Sequence, residues 1–248
     1  MPLDASAVAA MLIVLLAGMV SGLSGFGFGL VSVPLLLLVF DPPRVVLLGV
    51  ALPLLTGWMT LSDPRRDIRW PTVFSLLPTA MAGAAAGVLL LHALSRGAIM
   101  LGCGVVVVLF ALIVLRGWVP QAMHHRGATV AAGLASGTLL TSTGLSGPPV
   151  VLLLTGRGLP SHAFRTTLAA YFMLLNVVSA VLLTRSGAID WHDLRIAAIL
   201  APAALLGAFA GRSLVRFISP SRFRVFTLFM LLATGSMAIV DGLRRVLG

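Results

Sequence analysis

The sequence predicts an all-α integral membrane protein: two inverted repeats, each a broken-helix hairpin followed by three transmembrane helices. Three observations carry the prediction. Hydrophobic residues make up 59 % of the 248 and charged residues only 10 %, and the mean hydropathy is +1.09. A soluble domain carries about 25 % charged residues, so this chain has too little polar side chain to coat a globule in water. Asp and Arg fall between apolar stretches rather than inside them, and motifs of the first half recur in order in the second. The composition excludes a soluble enzyme, a secreted domain and a disordered chain.

Stretches free of Asp and Arg cover residues 5–40, 45–62, 70–95, 97–115, 127–156, 166–184, 196–211 and 225–240. A bilayer core about 30 Å thick takes about 20 helical residues, so six of these fit one crossing each. The first and fifth, at 36 and 30 residues, do not. Each is interrupted: the first by Gly22-Leu-Ser-Gly25-Phe-Gly27-Phe-Gly29, the second by Thr141-Ser-Thr-Gly144-Leu-Ser-Gly147-Pro148-Pro149. Glycine and proline at that density do not sustain a helix. Each long stretch is therefore expected to be a helix, a break inside the membrane, and a shorter half-helix starting near Gly29 or Val150. Broken backbone at that depth is tolerated where it is buried in protein or lines a wet cavity.

The repeat rests on three anchors. Gly22-Leu-Ser-Gly25 recurs as Gly144-Leu-Ser-Gly147, Ile68 and Trp70 as Ile189 and Trp191, and Pro78, Gly83 and Gly87 as Pro202, Gly207 and Gly211, at offsets of 122, 121 and 124. The halves are 1–118 and 125–248, joined by a linker at 119–124. If each long stretch crosses once, the halves are parallel and the 17 arginines divide 9 to 8 across the membrane. If each is a hairpin returning to its starting side, the halves are inverted and the division is 11 to 6. Cytoplasmic loops retain Arg and Lys, so the inverted arrangement is favoured, with both termini periplasmic in a cell inner membrane. Trp70, Trp118 and Trp191 fall at span ends, where an aromatic belt is expected. Four Gly-x-x-x-Gly pairs, at 18/22, 83/87, 133/137 and 207/211, read as ordinary close helix packing.

All 17 basic residues are Arg, and the net charge is +10. No basic stripe with interleaved aromatics is present, which argues against nucleic acid as a partner. Cys103, the only cysteine, lies in an apolar run without Cys or His at ligand spacing, so it reads as a small buried hydrophobe. His124-His125 lacks further ligands for a metal, and His92 and His162 read as interfacial. No cofactor is expected. The N-terminal stretch, with Asp4 and no basic segment before its apolar run, is not expected to be a removable signal peptide.

Inverted repeats with discontinuous helices are a transporter architecture with the site at the midplane. A half-helix that starts inside the membrane aims free N–H groups and a positive dipole end at that spot. Glycines leave those N–H groups uncovered, and the result is an anion-binding concavity. One helix end contributes at most about 2 kcal/mol, so two ends with direct N–H bonds offset a fair part of an anion's desolvation. The expected substrate-binding residues are Gly22, Ser24, Gly25, Phe26, Gly27 and Gly29 in the first break, and Thr141, Ser142, Thr143, Gly144, Ser146 and Gly147 in the second. The hydroxyls of Ser24, Thr141, Ser142, Thr143 and Ser146 are counted as donors. The competing reading is that both loops are tight turns that only pack the halves together.

Asn176, near the middle of its span, needs a partner for its amide; substrate and a neighbouring helix are equal alternatives. Arg44 and Arg165 occupy equivalent places, and either draw anions to opposite mouths of the path or serve topology and lipid headgroups. Phe26 and Phe28 either gate the site or pack. All seven Asp residues flank spans, whereas proton and sodium sites usually use an intramembrane carboxylate. Facilitated movement, protons carried on a weakly acidic substrate, and cations held by backbone carbonyls all remain open as modes of movement.

These same residues carry a family resemblance. Gly25-Phe-Gly-Phe-Gly-Leu-Val-Ser-Val-Pro34 followed by Asp41-Pro-Pro-Arg44 resembles the first-half signature of the sulfite exporter TauE/SafE family of membrane transporters. Thr143-Gly-Leu-Ser-Gly-Pro-Pro-Val-Val151, then Arg165-Thr-Thr-Leu and Asn176, is similar to its second-half signature. The similarity runs over essentially the whole chain. It implies transport of a small sulfur-containing anion, sulfite or an organosulfonate, often outward, across a bacterial inner membrane. Many relatives have a fuller glycine run in the first half, which Phe26 and Phe28 interrupt here. An anion channel is a close variant of this reading. A membrane scaffold explains the small-residue packing but not two hydroxyl-rich breaks, and an intramembrane enzyme needs an acid/base pair or metal cluster that the sequence does not supply. The expected partners are the anion and the lipid bilayer, with a homo-oligomer left open.

Overall fold

The computed structural model describes residues 5–62, 67–117, 123, 125–214 and 220–247. Asp4, Asp63, Arg65, Arg66, Trp118, His124, Arg216 and nearly all of the linker lie outside the described residues, as do the side chains of Arg222 and Arg224. The described elements are α1 (Ala5–Ser24), α2 (Phe28–Val39), α3 (Pro42–Leu61), α4 (Trp70–Ala93), α5 (Arg96–Arg116), α6 (Arg126–Thr143), α7 (Gly147–Gly156), α8 (Ser161–Arg185), α9 (Trp191–Leu214) and α10 (Pro220–Leu247). Seven are long and apolar enough to cross a membrane: α1, α3, α4, α5, α8, α9 and α10. The protein is an all-α, multi-pass membrane protein. Leu89, Leu206, Phe209 and Phe229 stand on its outer surface, where lipid takes the place of water.

Both long stretches break where glycine allows it, but the breaks are shorter than expected. Each is three residues, 25–27 and 144–146. Gly25, Gly27 and Gly144 have φ of 81°, 96° and 87°, the left-handed region that side chains with a Cβ avoid. Gly22 and Ser24 complete the last turn of α1, and Thr141, Ser142 and Thr143 that of α6. Pro148 and Pro149, expected in the second break, instead open α7, which starts at Gly147 rather than near Val150. Proline is well placed there: its fixed φ suits a helix, and its missing N–H would have had no partner in the first turn. With 12 and 10 residues, α2 and α7 extend about 18 and 15 Å and stop short of a full crossing.

Each short helix turns back along its longer partner. Phe40, just past α2, shares a small apolar pocket with Ala7, Ala10 and Met11 at the start of α1. Arg157, just past α7, donates to the Met123 carbonyl and the Thr129 hydroxyl beside the start of α6.

The strongest helix pairings join the two halves: α1 with α9, α4 with α6, α3 with α8 and α5 with α10. Small residues set two of them. Gly18 and Gly22 of α1 face Ala204 and Ala208 of α9, while Gly207 and Gly211 of α9 face Leu15 and Met19 of α1. Gly83 and Gly87 of α4 and Gly133 and Gly137 of α6 meet in the same reciprocal way. In both pairs residue numbers rise together, so the helices run parallel. The other two pairs are antiparallel. Gly97 at the start of α5 faces Arg245 and Val246 at the end of α10, and Gly104 faces Gly235 and Ile239. Thr56, Met59 and Thr60 near the end of α3 share a cavity with His162, Arg165 and Thr166 near the start of α8.

Candidate functional site

The two breaks meet at the centre of the bundle. A Cβ on Gly29, in the first turn of α2, would lie 2.8 Å from the carbonyl oxygen of Gly144 in the other break, and one on Gly49 of α3 would lie 2.9 Å from the same atom. Only glycine permits this approach, and it brings the N-termini of α2 and α7 to one place. Gly27 and Ser146 are their N-cap residues, and neither provides a side-chain cap. The Ser146 carbonyl accepts a 2.8 Å hydrogen bond from the Ser136 hydroxyl, which pins the second break to the middle of α6.

Between the breaks lies a cavity of about 60 Å³. Its wall takes Gly25, Phe26, Gly27 and Gly29 from the first break region, Gly144, Ser146 and Gly147 from the second, and Asn176 from α8. Asn176 is only 2 % exposed, and its Oδ1 has no protein hydrogen-bond partner. A second cavity of about 90 Å³ adjoins the first, sharing Ser21, Thr56 and Thr60 with it. Gly22, His162, Arg165 and Arg212 line this outer space. It forms a cationic vestibule between the ends of α1, α3 and α9 and the start of α8. Arg165 lies across Gly25 and its Nη2 donates to the Gly22 carbonyl at 3.4 Å, while Arg212 donates to the Met59 carbonyl. Among the described residues no carboxylate lines either space.

A family model described as sulfite exporter TauE/SafE matches residues 10–238. The chain belongs to the TauE/SafE family. The match runs from α1 into α10 and takes in both breaks, both cavities and every candidate site residue. No curated protein and no solved structure matches the chain. TauE/SafE proteins are membrane transporters, in agreement with the multi-pass fold.

Within this TauE/SafE chain the expected site residues divide into three groups. Gly25, Phe26, Gly27, Gly29, Gly144, Ser146, Gly147 and Asn176 line the central cavity, and Gly22 and Arg165 line its vestibule. Thr141, Ser142 and Thr143 line neither, and their expected role as donors is corrected. Each hydroxyl proton is already committed: Thr141 donates to the carbonyls of Ala84 (2.7 Å) and Gly137, Ser142 to that of Thr138 (2.6 Å), and Thr143 to that of Leu139 (2.7 Å). In an apolar bundle a hydroxyl turns to the nearest backbone oxygen, and here the bond to Ala84 fastens α6 to α4. The Ser24 hydroxyl likewise donates to the carbonyls of Val20 (2.8 Å) and Phe26. Arg44 also lies away from the cavities. Its Nε is 2.6 Å from Asp193 of α9, and its guanidinium stacks over Phe40 at 5.5 Å.

The helix ends are unequal donors. The first turn of α2 carries free N–H groups on Phe28, Gly29 and Leu30, because the first of its amides to bond back is that of Val31, to the Gly27 carbonyl. In α7 the prolines at 148 and 149 have no N–H, leaving Gly147. Sequence reasoning missed Thr56, Thr60, His162 and Arg212 as lining residues. Thr56 and Thr60 sit one turn apart in a helix that is otherwise apolar after Arg44, which is a usable signal. Arg212 directly follows the Gly207/Gly211 pair that packs on α1, so its place beside the α1 break was implicit in that pairing.

Proposed function

We propose that this protein moves a small sulfur-containing oxyanion, sulfite or an organosulfonate, across the bacterial inner membrane by alternating access, with the anion held between the two breaks. The meeting of two uncapped helix N-termini in one buried cavity carries this reading. First-turn N–H groups and positive dipole ends suit an anion. The Asn176 amide supplies a further polar group, and Arg165 and Arg212 raise the local concentration of anions at the entrance. The absence of carboxylates from the described cavity walls removes the repulsion that would oppose a negative charge there.

The packing also supports an inverted repeat. Parallel halves would run α3 with α8, and α5 with α10, in the same direction, whereas both pairs are antiparallel. With the arginine-rich end assigned to the cytoplasm, both termini face the periplasm. The vestibule then opens to the cytoplasm, so the anion loads from inside in this conformation. At the opposite end Arg44 and Asp193 join α3 to α9 and help hold that side shut.

Flux of radiolabelled sulfite, sulfoacetate, taurine and sulfate into proteoliposomes tests the proposal. Saturable flux of at least one sulfur anion is expected. Gly147→Val should abolish it without loss of insertion, since a Cβ there meets only Leu30 side-chain atoms, at 3.8 Å and beyond, while the larger side chain fills the cavity. Absence of saturable flux for every anion overturns the reading, and unaltered flux in Gly147→Val removes the site from between the breaks.

A further inference from the structure

On the far side of the first break lies a third, larger chamber of about 470 Å³. Its inner wall is the break itself: Phe26, Gly27 and Leu30 line both this chamber and the central cavity. Elsewhere it is walled mainly by aliphatic and aromatic side chains of α5, α7 and α10, including Phe110, Ile113, Leu152 and Leu231. The hydroxyls of Ser24, Thr155 and Thr227 also border it; those of Ser24 and Thr155 donate to carbonyls of Val20 and Val151 in their own helices, and that of Thr227, on α10, is buried without a protein partner. The wall near the break therefore offers an occupant hydrocarbon. A cavity of about 150 Å³ with such a lining holds a benzene-sized molecule, so this chamber has room for a ring or a chain of several carbons.

The partition between the two spaces is the first break itself. Phe26 stands between Gly25 and Gly27, both at positive φ, and its ring rests edge-on against Phe164 at 6.0 Å between centroids. That ring forms part of the wall of both the polar cavity and the apolar chamber. We infer that the anion carried by this protein bears an apolar substituent, an alkyl or aryl tail, that lodges in the chamber while the charged head sits between the breaks. The inference rests on the anion site proposed above and specifies its substrate class. A bare inorganic oxyanion uses the central cavity and leaves the chamber without a role. Continuity with the break favours the substrate's tail as occupant over a lipid acyl chain.

The test is inhibition of labelled-anion flux in proteoliposomes by straight-chain sulfonates from methane- to octanesulfonate. Each added methylene should tighten inhibition about fourfold, the factor for burying one CH₂, until the chamber is full. Partition into the bilayer gives a similar gain, so the deciding readout is the change on narrowing the chamber. Leu231→Trp should shrink the octane-to-methanesulfonate affinity ratio by at least about tenfold, whereas bilayer partition is the same for both proteins. Should that variant fail to fold, Leu231→Ala, which enlarges the chamber, should move the plateau to longer chains. A ratio unchanged by either substitution overturns the inference, as does inhibition that does not rise with chain length while short anions are still carried. Native mass spectrometry finding a phospholipid that Leu231→Trp expels, with the chain-length profile unaltered, assigns the chamber to lipid and also overturns it. Absence of flux for every anion, by contrast, is the failure of the transport reading itself.

Discussion

At the scale of the residue, Asn176 differs from the hydroxyls in and beside the two breaks, and it lines the central cavity, which the equally unpaired hydroxyls of Tyr171 and Ser179 on the same helix do not. The hydroxyls of Ser24, Ser136, Thr141, Ser142 and Thr143 all donate to backbone carbonyls. The Asn176 Oδ1 has no protein partner although the residue is buried. Leaving a buried polar atom unpaired costs about 1–3 kcal/mol, and under the proposed function the amide is there for the anion. Replacing it with leucine therefore separates stability from function. Asn176→Leu should unfold at the same temperature as the parent protein or higher, since the unpaired group is gone. An oxyanion takes a hydrogen bond from the amide NH₂ and not from Oδ1, which only accepts. Such a bond to a charged partner contributes about 1.5–3 kcal/mol, so loss of that donor should lower anion affinity between about tenfold and 150-fold. Thermal unfolding in detergent and flux in proteoliposomes check the two halves of this expectation. A variant that is destabilised but transports normally makes Asn176 a packing residue.

At the scale of the element, glycine has two unrelated uses here. In the breaks it permits positive φ; in α1, α4, α6 and α9 it permits contact between backbones. A methyl on Gly137 would run into the Ala80 carbonyl oxygen and lie 2.7 Å from the Ala84 nitrogen, while one on Gly102 of α5 would meet nothing within 4 Å. Gly137→Val should therefore force α6 from α4 and destabilise the protein by at least about 1–3 kcal/mol, the usual cost of overpacking. Gly102→Val, an equal change in chemistry on a lipid-facing surface, should leave the unfolding temperature within a degree or two. Equal stability of the two variants would show that the α4–α6 contact contributes nothing to the fold. Sequence spacing identified the four glycine pairs as packing surfaces, but not which pair meets which. That depends on helices 50 to 190 residues apart in the chain, and a spacing rule carries no information at that distance.

At the scale of the whole molecule, the antiparallel course of α3 against α8 and of α5 against α10 gives the proposed topology a direct test. Reporter fusions near Gln121 and after Gly248 should report opposite faces of the membrane, cytoplasmic for the first and periplasmic for the second. Both on one face would remove the inverted repeat and with it the assignment of the vestibule to the cytoplasm. The same scale explains the different fates of two equivalent arginines. Arg44 and Arg165 hold the same place in the proposed repeats, yet Arg44 binds Asp193 while Arg165 lines the vestibule. The position corresponding to Asp193 in the first repeat is Thr72, by the match of Trp70 to Trp191. The two ends of the molecule are therefore not electrostatic copies of each other: the Arg44–Asp193 ion pair lies at the end opposite the cavity lined by Arg165 and Arg212.

The sequence by itself determined the membrane class, the helices and the location of both breaks. Those properties follow from composition and local backbone preference: apolar length sets a crossing, and clustered glycine ends a helix wherever it falls. The limits of the breaks were less legible, because proline both stops a helix and starts one, and Pro148-Pro149 does the second. Only the tertiary structure decided what stands in the breaks. Whether a hydroxyl is a donor to solute depends on whether a carbonyl lies closer, as it does for Thr141. Whether Arg212 or Thr56 borders the site depends on which helix α1 packs against. The apolar chamber behind Phe26 likewise exists only where α1, α5, α7 and α10 leave space between them. Such volumes are made by the convergence of distant segments, and no local run of residues records them.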